Sequence, residues 1–167
     1  MASCKRERYW GRGGAGMLFV CSADETMLLL LRASWVAQGG TWGIPGGAVG
    51  EGWHDTPIVP LKGDRQFLST ALREVREECG SMPRGFNATK QIVDSTEYED
   101  CGFRYVTYVV DLTPAQKGAW DLVSNDGETD EFQWFPQRAI RRGVELDGAR
   151  LHFGVEHTLS QSKLWRW

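Results

Sequence analysis

The sequence has no hydrophobic run long enough to cross a membrane. Its longest apolar run, MLLLL at residues 27–31, has the length of a strand, whereas a membrane helix needs about 20 apolar residues. The N-terminal residues MASCKRERYWGRGG are basic, but no apolar stretch follows them directly, so they lack the pattern of a secretory signal. We therefore expect a protein without a membrane partner.

Paired cysteines and clustered histidines are also absent. The four cysteines, Cys4, Cys21, Cys79 and Cys101, are scattered and form no CxxC pair, which argues against a zinc site. We expect them to be reduced thiols in a cytoplasmic protein. The three histidines form no cluster in the sequence, and the pattern assigns them no role.

The chain carries no surplus of basic residues. There are 19 Lys and Arg against 22 Asp and Glu, which gives a formal net charge of -3. This balance argues against a broad electrostatic surface for nucleic acid, so no nucleic-acid partner is expected. It leaves room for a small anionic ligand that is held locally by metal ions.

What is present indicates one α/β domain over residues 1–167. Short runs rich in apolar and β-forming residues predict strands, whereas helical periodicity and composition predict helices. The predicted strands are 16–22, 26–34, 90–99, 103–112 and 131–136, and the predicted helices are 65–79, a short one in PQRAIRRG and a longer one over 149–165. Residues 39–52 are rich in glycine and predict loop and short strand, with a backbone that can approach a ligand closely.

The helix predicted over residues 65–79 combines an apolar face with an acidic one. Leu68, Ala71, Leu72, Val75 and Cys79 recur at helical spacing, and Gly80 is placed to end the helix. Next to that face, Glu74, Glu77 and Glu78 are direct neighbours, although like charges at this spacing destabilise a helix by a few tenths of a kcal/mol. Mg²⁺ would offset the repulsion, because it prefers oxygen ligands. The alternative is a solvated acidic face on which Arg73 pairs with Glu77.

Two segments resemble the signature of the Nudix hydrolases, G-x5-E-x7-R-E-U-x-E-E-x-G-U, in which U is a bulky aliphatic residue. The segment REVREECG at 73–80 matches the second half, although Ser81 replaces the final aliphatic residue, and Gly47 in PGGAV at 45–49 matches the opening glycine. TWGIPGG is also typical of the family, and the chain looks most like its small MutT-like members from bacteria. The resemblance implies an α/β/α sandwich with a mixed sheet.

The spacing within this signature departs from the family. Gly47 precedes Arg73 by 26 positions rather than 14, which indicates an insertion of 12 residues. The first glutamate of the signature therefore has no direct counterpart. Glu51, Asp64 or no residue takes its place, and the insertion is expected to form a surface loop that affects the choice of substrate.

The resemblance implies an enzyme that hydrolyses the diphosphate linkage in a nucleoside diphosphate derivative, with Mg²⁺ or Mn²⁺ as cofactor. It implies that Glu77 and Glu78 are the principal metal ligands and that Glu74 binds metal or helps to deprotonate water. It further implies that Arg73 orients a glutamate and that the carbonyl of Gly47 completes the metal shell. A non-catalytic module that senses a nucleotide is the alternative, although such modules usually lack these carboxylates.

One further carboxylate is expected from a distant acidic segment, residues 125–134. In MutT-like members a glutamate lies six residues before a strand tryptophan, and Glu128 lies six before Trp134. We therefore expect Glu128, rather than Glu131, to join the metal site. The alternative is an acidic surface loop.

Substrate-binding residues are harder to read from the pattern. Arg32, at the end of the second predicted strand, is a candidate for a contact with phosphate or sugar, and Trp42 is a candidate for stacking on a nucleobase. Tyr98 lies where diadenosine polyphosphate hydrolases carry a tyrosine. Trp35, Phe103 and Tyr105 are further aromatic candidates, and for all the aromatic residues a core position is the alternative. Possible substrates are a nucleoside triphosphate, ADP-ribose or a dinucleotide polyphosphate, and a homodimer is left open.

Overall fold

The structure is a computed structural model, and it describes residues 13–49 and 64–163. Its strands are β1 (Gly13–Cys21), β2 (Thr26–Arg32), β3 (Trp42–Gly43), β4 (Gly46–Ala48), β5 (Ile92–Asp100), β6 (Phe103–Asp111) and β7 (Thr129–Pro136). Its α-helices are α1 (Asp64–Cys79), α2 (Ala88–Gln91), α3 (Pro114–Ala119) and α4 (Phe153–Gln161). No helix in the described ranges is long and apolar enough to span a membrane.

The seven strands form one mixed sheet. Its main path runs β3-β2-β1-β6-β5, while β4 pairs with β1 and β7 pairs with β2. The central strand β1 is parallel to β6, and its other pairings are antiparallel. This arrangement places β4, the strand of the glycine-rich segment, beside the first residues of β1.

Helices cover both faces of the sheet because the central strands bury side chains on both sides. Along β1 the side chains alternate: Met17 and Phe19 join the cluster that contains α1, whereas Leu18 and Val20 join the cluster that contains α4. The expected α/β/α sandwich with a mixed sheet is therefore confirmed.

Helix α1 was predicted from residue 65 to residue 79, and it begins one residue earlier. Its face towards the sheet consists of Phe67, Ala71, Val75 and Cys79, all 0% exposed. Gly80 follows the helix with a positive φ of 81°, and a Cβ there would lie 2.8 Å from the carbonyl oxygen of Val123, so a glycine is needed at this position. The helix is thus fixed in rotation, and its acidic residues are held towards β4.

Other predicted elements differ at their ends. The strand predicted to begin at residue 90 is preceded by α2 and starts at Ile92, and the last helix spans Phe153–Gln161 rather than 149–165. The short helix in PQRAIRRG is a 3-10 turn at Gln137–Ala139. Helix α3 was not predicted. The inserted segment and Glu51 lie within residues 50–63, which are outside the described residues. Asp64 is the first residue of α1.

The cysteines do not all have the same state. Cys21 and Cys79 are buried free thiols, in agreement with the expectation from the sequence. Cys101, in the turn between β5 and β6, is disulfide-bonded. The expectation of reduced thiols throughout is therefore wrong for Cys101, because scattered spacing in the sequence does not prevent two cysteines from meeting in the fold.

Candidate active site

A cleft of about 1160 Å³ lies where β4, α1 and the start of α4 meet the sheet. One part of its lining comes from β4, α1 and the segment before β7: Gly46, Gly47, Ala48, Arg73, Glu74, Glu77, Asp126 and Glu128. Another part comes from β5, β6 and α4: Thr96, Tyr98, Phe103, Tyr105, Thr107, Phe153, His157 and Thr158. The cleft thus joins an acidic wall to an aromatic one.

The three glutamates of α1 differ in burial. Glu78 is 4% exposed and Glu74 is 9% exposed, whereas the side chain of Glu77 is 48% exposed. The backbone N–H of Gly46 donates a hydrogen bond to Oε1 of Glu78 at 3.2 Å. A Cβ on Gly47 would collide with the carboxylate of Glu74, so only glycine lets the strand pass this close to the acid. Two of the three carboxylates are therefore packed against the backbone of β4.

Arg73 links these acids to one another and to β4. Its guanidinium forms ion pairs with Oε1 of Glu74 at 2.7 Å and with Oε2 of Glu77 at 3.0 Å. It also donates a hydrogen bond to the carbonyl oxygen of Ala48 at 3.3 Å. Charge-assisted contacts of this kind fix the direction of a carboxylate. One arginine thus orients two of the three glutamates.

Burial raises the pKa of both inner carboxyl groups. Desolvation is the main cause for Glu74, whose pKa rises to about 7 although the charge of Arg73 opposes the rise. Desolvation also raises the pKa of Glu78 to about 8, against the hydrogen bond from Gly46. The negative charge of Glu74 adds to the rise in the pKa of Glu78. A cation next to them would favour their ionised forms.

The oxygen atoms here are suited to a hard divalent cation. Carboxylates and backbone carbonyls are the ligands that such cations prefer. In the described part of the chain, however, no three Asp, Glu, His or Cys side chains converge closely enough to hold an ion as they stand. In this arrangement the carboxylate of Glu77 is paired with the guanidinium of Arg73. Binding of a cation would therefore require Glu77 to exchange its contact with Arg73 for one with the ion.

Glu128 reaches the acidic wall from the segment that precedes β7. Its backbone N–H donates to Oδ1 of Asp126 at 2.9 Å, and its carbonyl accepts from the N–H of Ala33 at 2.8 Å. The charges of Glu128 and Asp126 both raise the pKa of Glu74, so these two acids lie within electrostatic reach of α1. Glu131 lies in β7, is exposed and does not line the cleft.

Comparison with known proteins gives the family. The NUDIX domain family matches residues 11–152, which include every element that builds the cleft except the body of α4. The chain belongs to the NUDIX family. The resemblance read from PGGAV and REVREECG is thereby confirmed.

The relatives of this NUDIX domain include longer proteins. It is 33% identical over 138 residues to a protein named putative 8-oxo-dGTP diphosphatase 3 from Mycobacterium tuberculosis, covering 79% of this chain and 56% of that one. It is 30% identical over 140 residues to a nucleoside triphosphate pyrophosphatase/Nudix hydrolase fusion protein from Bifidobacterium longum, covering 80% of this chain and 25% of that one. The chain thus spans between a quarter and just over half of the length of these relatives.

Solved structures support the fold. The Nudix hydrolase RenU from M. smegmatis superposes with a TM-score of 0.52 at 26% identity, covering 79% of this chain and 75% of that one. The MutT NUDIX hydrolase from Burkholderia pseudomallei superposes with a TM-score of 0.50 at 19% identity, covering 82% of this chain and 92% of that one. At that lower identity the second match supports the fold alone.

The three candidate substrate-binding residues have different positions in this NUDIX domain. Arg32 and Tyr98 line the cleft. Trp42 does not: it is 1% exposed, its Nε1 donates to the carbonyl of Leu146 at 2.7 Å, and its ring packs edge-on against Phe135. Trp42 is therefore a core residue, which is the alternative that the sequence left open, and it is not available to stack on a base.

Two further cleft residues, Tyr105 and His152, were not among the main candidates from the sequence. Tyr105 lies flat against β1 and β4, where a Cβ on Gly14 would come within 2.7 Å of its ring and a Cβ on Gly16 within 2.6 Å of its hydroxyl. His152 was assigned no role, yet it lines the cleft and caps α4. The run GGAG at 13–16 was the available signal for Tyr105, since glycines within a strand mark a close approach of another group.

Proposed function

We propose that this NUDIX domain hydrolyses the diphosphate linkage of a nucleoside diphosphate derivative, with Mg²⁺ or Mn²⁺ as cofactor. The observation that carries the proposal is the buried pair Glu74 and Glu78 on α1, of which Glu74 lines a cleft large enough for a nucleotide. A buried acidic pair with raised pKa values is destabilising by itself. The position of this pair at the edge of the cleft, with Glu74 in its lining, favours a role in binding a cation together with an anionic substrate.

Four groups would hold the cation: the carboxylates of Glu74, Glu77 and Glu78, and the carbonyl of Gly47. A divalent cation there would neutralise phosphate charge and polarise the phosphoryl group. Arg73 holds the carboxylate of Glu74 beside β4 before substrate binds, whereas Glu77 would exchange its ion pair with Arg73 for a contact with the cation. The fixed direction of Glu74 lowers the cost of ordering this part of the site during the reaction.

Glu128 is the proposed base. Water attacks one phosphorus of the diphosphate, a new P–O bond forms, and the bond to the bridging oxygen breaks. The carboxylate of Glu128 accepts a proton from the attacking water. Its position supports this role, because Glu128 lines the same acidic wall as α1 and its backbone is held on both sides by hydrogen bonds.

Nucleoside triphosphates, ADP-ribose and dinucleotide polyphosphates all contain the required linkage. The name of the Mycobacterium tuberculosis relative favours the first of these. The second candidate function is a nucleotide sensor without catalysis. The complete set Glu74, Glu77 and Glu78, together with Arg73, favours the enzyme.

A product-release screen tests the proposal. The protein is incubated with nucleoside triphosphates, nucleotide sugars, ADP-ribose and dinucleotides in Mg²⁺ or in EDTA, and the released phosphates are measured. We expect hydrolysis of at least one class in Mg²⁺, none in EDTA, and none with Glu77→Gln. Saturable binding without release from any substrate would instead support the sensor.

A further inference from the structure

One region of the cleft has no part in the proposed hydrolysis. It is formed by Arg32 at the end of β2, Gly43 in β3 and His152 just before α4, and all three line the cleft. Gly43 lies between the other two: a Cβ there would be 3.2 Å from Cδ of Arg32 and 3.9 Å from Cβ of His152. Because Gly43 has no side chain, the space between Arg32 and His152 stays open at this point of the cleft.

The hydrogen bond that His152 makes fixes its tautomer. Its Nδ1 accepts the backbone N–H of Gly154 at 3.0 Å, so Nδ1 carries no proton. Burial and the nearby charge of Arg32 lower the pKa of His152 to about 4, so the ring is neutral at neutral pH. A neutral ring with a bare Nδ1 carries its proton on Nε2. Within residues 13–49 and 64–163, this Nε2–H has no protein acceptor.

Arg32 adds donors on the other side of Gly43. Its Nε donates to the carbonyl of Ala37 at 3.1 Å, which fixes the plane of the guanidinium. Its two Nη groups make no hydrogen bond or ion pair to the described residues. Arg32 and His152 therefore offer N–H groups and no acceptor to whatever lies over Gly43.

Aromatic rings stand at the edge of this region. Phe153 stacks on the ring of His152 with centroids 4.7 Å apart and is 47% exposed. Trp35, in the connection between β2 and β3, is 67% exposed and also lines the cleft. Exposed aromatic side chains next to a cleft are suited to stack on a planar ring.

We propose that Arg32 and His152 form a donor-only subsite that reads the acceptor edge of a keto purine, and that the domain therefore prefers guanine nucleotides over adenine nucleotides. The inference rests on the proposed function for the phosphate part of the substrate. Guanine presents two adjacent acceptors, O6 and N7, along one edge, and a forked arginine matches them. Adenine presents the N6 amino group in place of O6, so a donor would face the donors of Arg32 and His152.

Two substitutions at His152 separate recognition from stability. His152→Ser keeps an oxygen that can cap α4 but removes the ring donor. His152→Gln places an amide N–H near the position of Nε2 but is a poorer cap. We expect the Ser variant to keep its melting temperature and to lose at least tenfold in the ratio of kcat/KM for GTP over ATP. We expect the Gln variant to melt a few degrees lower and to keep most of that ratio.

Arg32→Gln tests the second donor. We expect it to lower kcat/KM for GTP at least tenfold more than kcat/KM for ATP. An equal loss for both nucleotides would show that Arg32 binds phosphate or sugar, and a wild-type protein that prefers ATP would overturn the inference outright.

Binding of products keeps the test independent of catalysis. Binding of GMP and AMP to the wild-type protein and to His152→Ser is measured by calorimetry in EDTA. If no substrate is hydrolysed but GMP binds more tightly than AMP in a manner that needs His152, the proposed hydrolysis fails and the subsite stands. If GMP and AMP bind alike, the subsite is refuted whether or not the domain is an enzyme.

Discussion

The metal-free protein should be stabilised by Glu78→Gln, and the gain should depend on pH. The glutamine keeps an oxygen that can accept the hydrogen bond from the N–H of Gly46, so the substitution removes charge while it preserves shape. The pKa of Glu78 is about 8 in the folded protein against a usual value of 4.5. The folded state therefore binds the proton more tightly than the unfolded state, and stability falls as pH rises from 4.5 through about 8.

The size of the effect follows from the two pKa values. Because one pKa unit corresponds to about 1.4 kcal/mol, the Glu78 carboxyl costs about 1 kcal/mol at about pH 5.5 and about 4 kcal/mol at about pH 7.5. The difference is about 2–3 kcal/mol. For a domain of this length we expect the melting temperature of Glu78→Gln, relative to wild type, to rise by about 5–10 °C between those two pH values.

Thermal unfolding in EDTA at a series of pH values measures this difference. Glu131→Gln is the matched control, because Glu131 is an exposed glutamate of β7 outside the cleft, so the substitution removes one carboxylate without altering the buried pair. Saturating Mg²⁺ should stabilise the wild type more than Glu78→Gln and so reduce the variant's advantage. A melting-temperature difference that stays constant from about pH 5 to about pH 8 would refute the electrostatic account of this carboxyl.

Three further predictions concern the acidic wall. Glu77→Gln should leave the fold intact, as judged by circular dichroism, and lower kcat at least 100-fold, or about 2.7 kcal/mol of barrier; unchanged turnover in saturating Mg²⁺ would exclude Glu77 as a ligand. Glu128→Gln should lower kcat by a similar factor, while Glu131→Gln should keep the wild-type kcat. The opposite result would show that Glu131, not Glu128, is the base. Gly47→Ala should weaken activation by Mg²⁺ because the new Cβ collides with Glu74, which a titration of rate against Mg²⁺ concentration would show as a raised half-saturation point.

The local features of the site were readable from the sequence because they repeat with the period of a helix. The apolar positions Ala71, Val75 and Cys79 predicted both the extent of α1 and the face that it buries. Once that face is fixed, the positions of Glu74 and Glu78 beside β4 follow from helical geometry. The same holds for the pairing of Arg73 with Glu77, which is a contact across one helical turn.

Features that depend on distant segments were not readable in this way. Trp42 and Trp35 lie seven positions apart in one glycine-rich stretch, yet one is in the core and the other is exposed, since their environments are set by residues far along the chain. His152 enters the cleft because α4 packs across the sheet, which no local pattern indicates. Helix α3 was missed for a different reason, because its signal was present in the sequence. Thr113 and Gln116 form a capping box, and Pro114 occupies the first position of the helix.

The parallel pairing of β1 with β6 has a consequence for how the chain folds. Each residue of β1 from Gly13 to Val20 pairs with one 91 positions later, so the central strand cannot complete its hydrogen bonds until β6 has been synthesised. Contacts at such long separation close slowly because the intervening chain must lose entropy first. During synthesis, β1 therefore remains without β6, and the apolar strand β2 without β7, while most of the domain is made. Conditions that slow elongation or separate the N-terminal third of the chain should favour aggregation over folding.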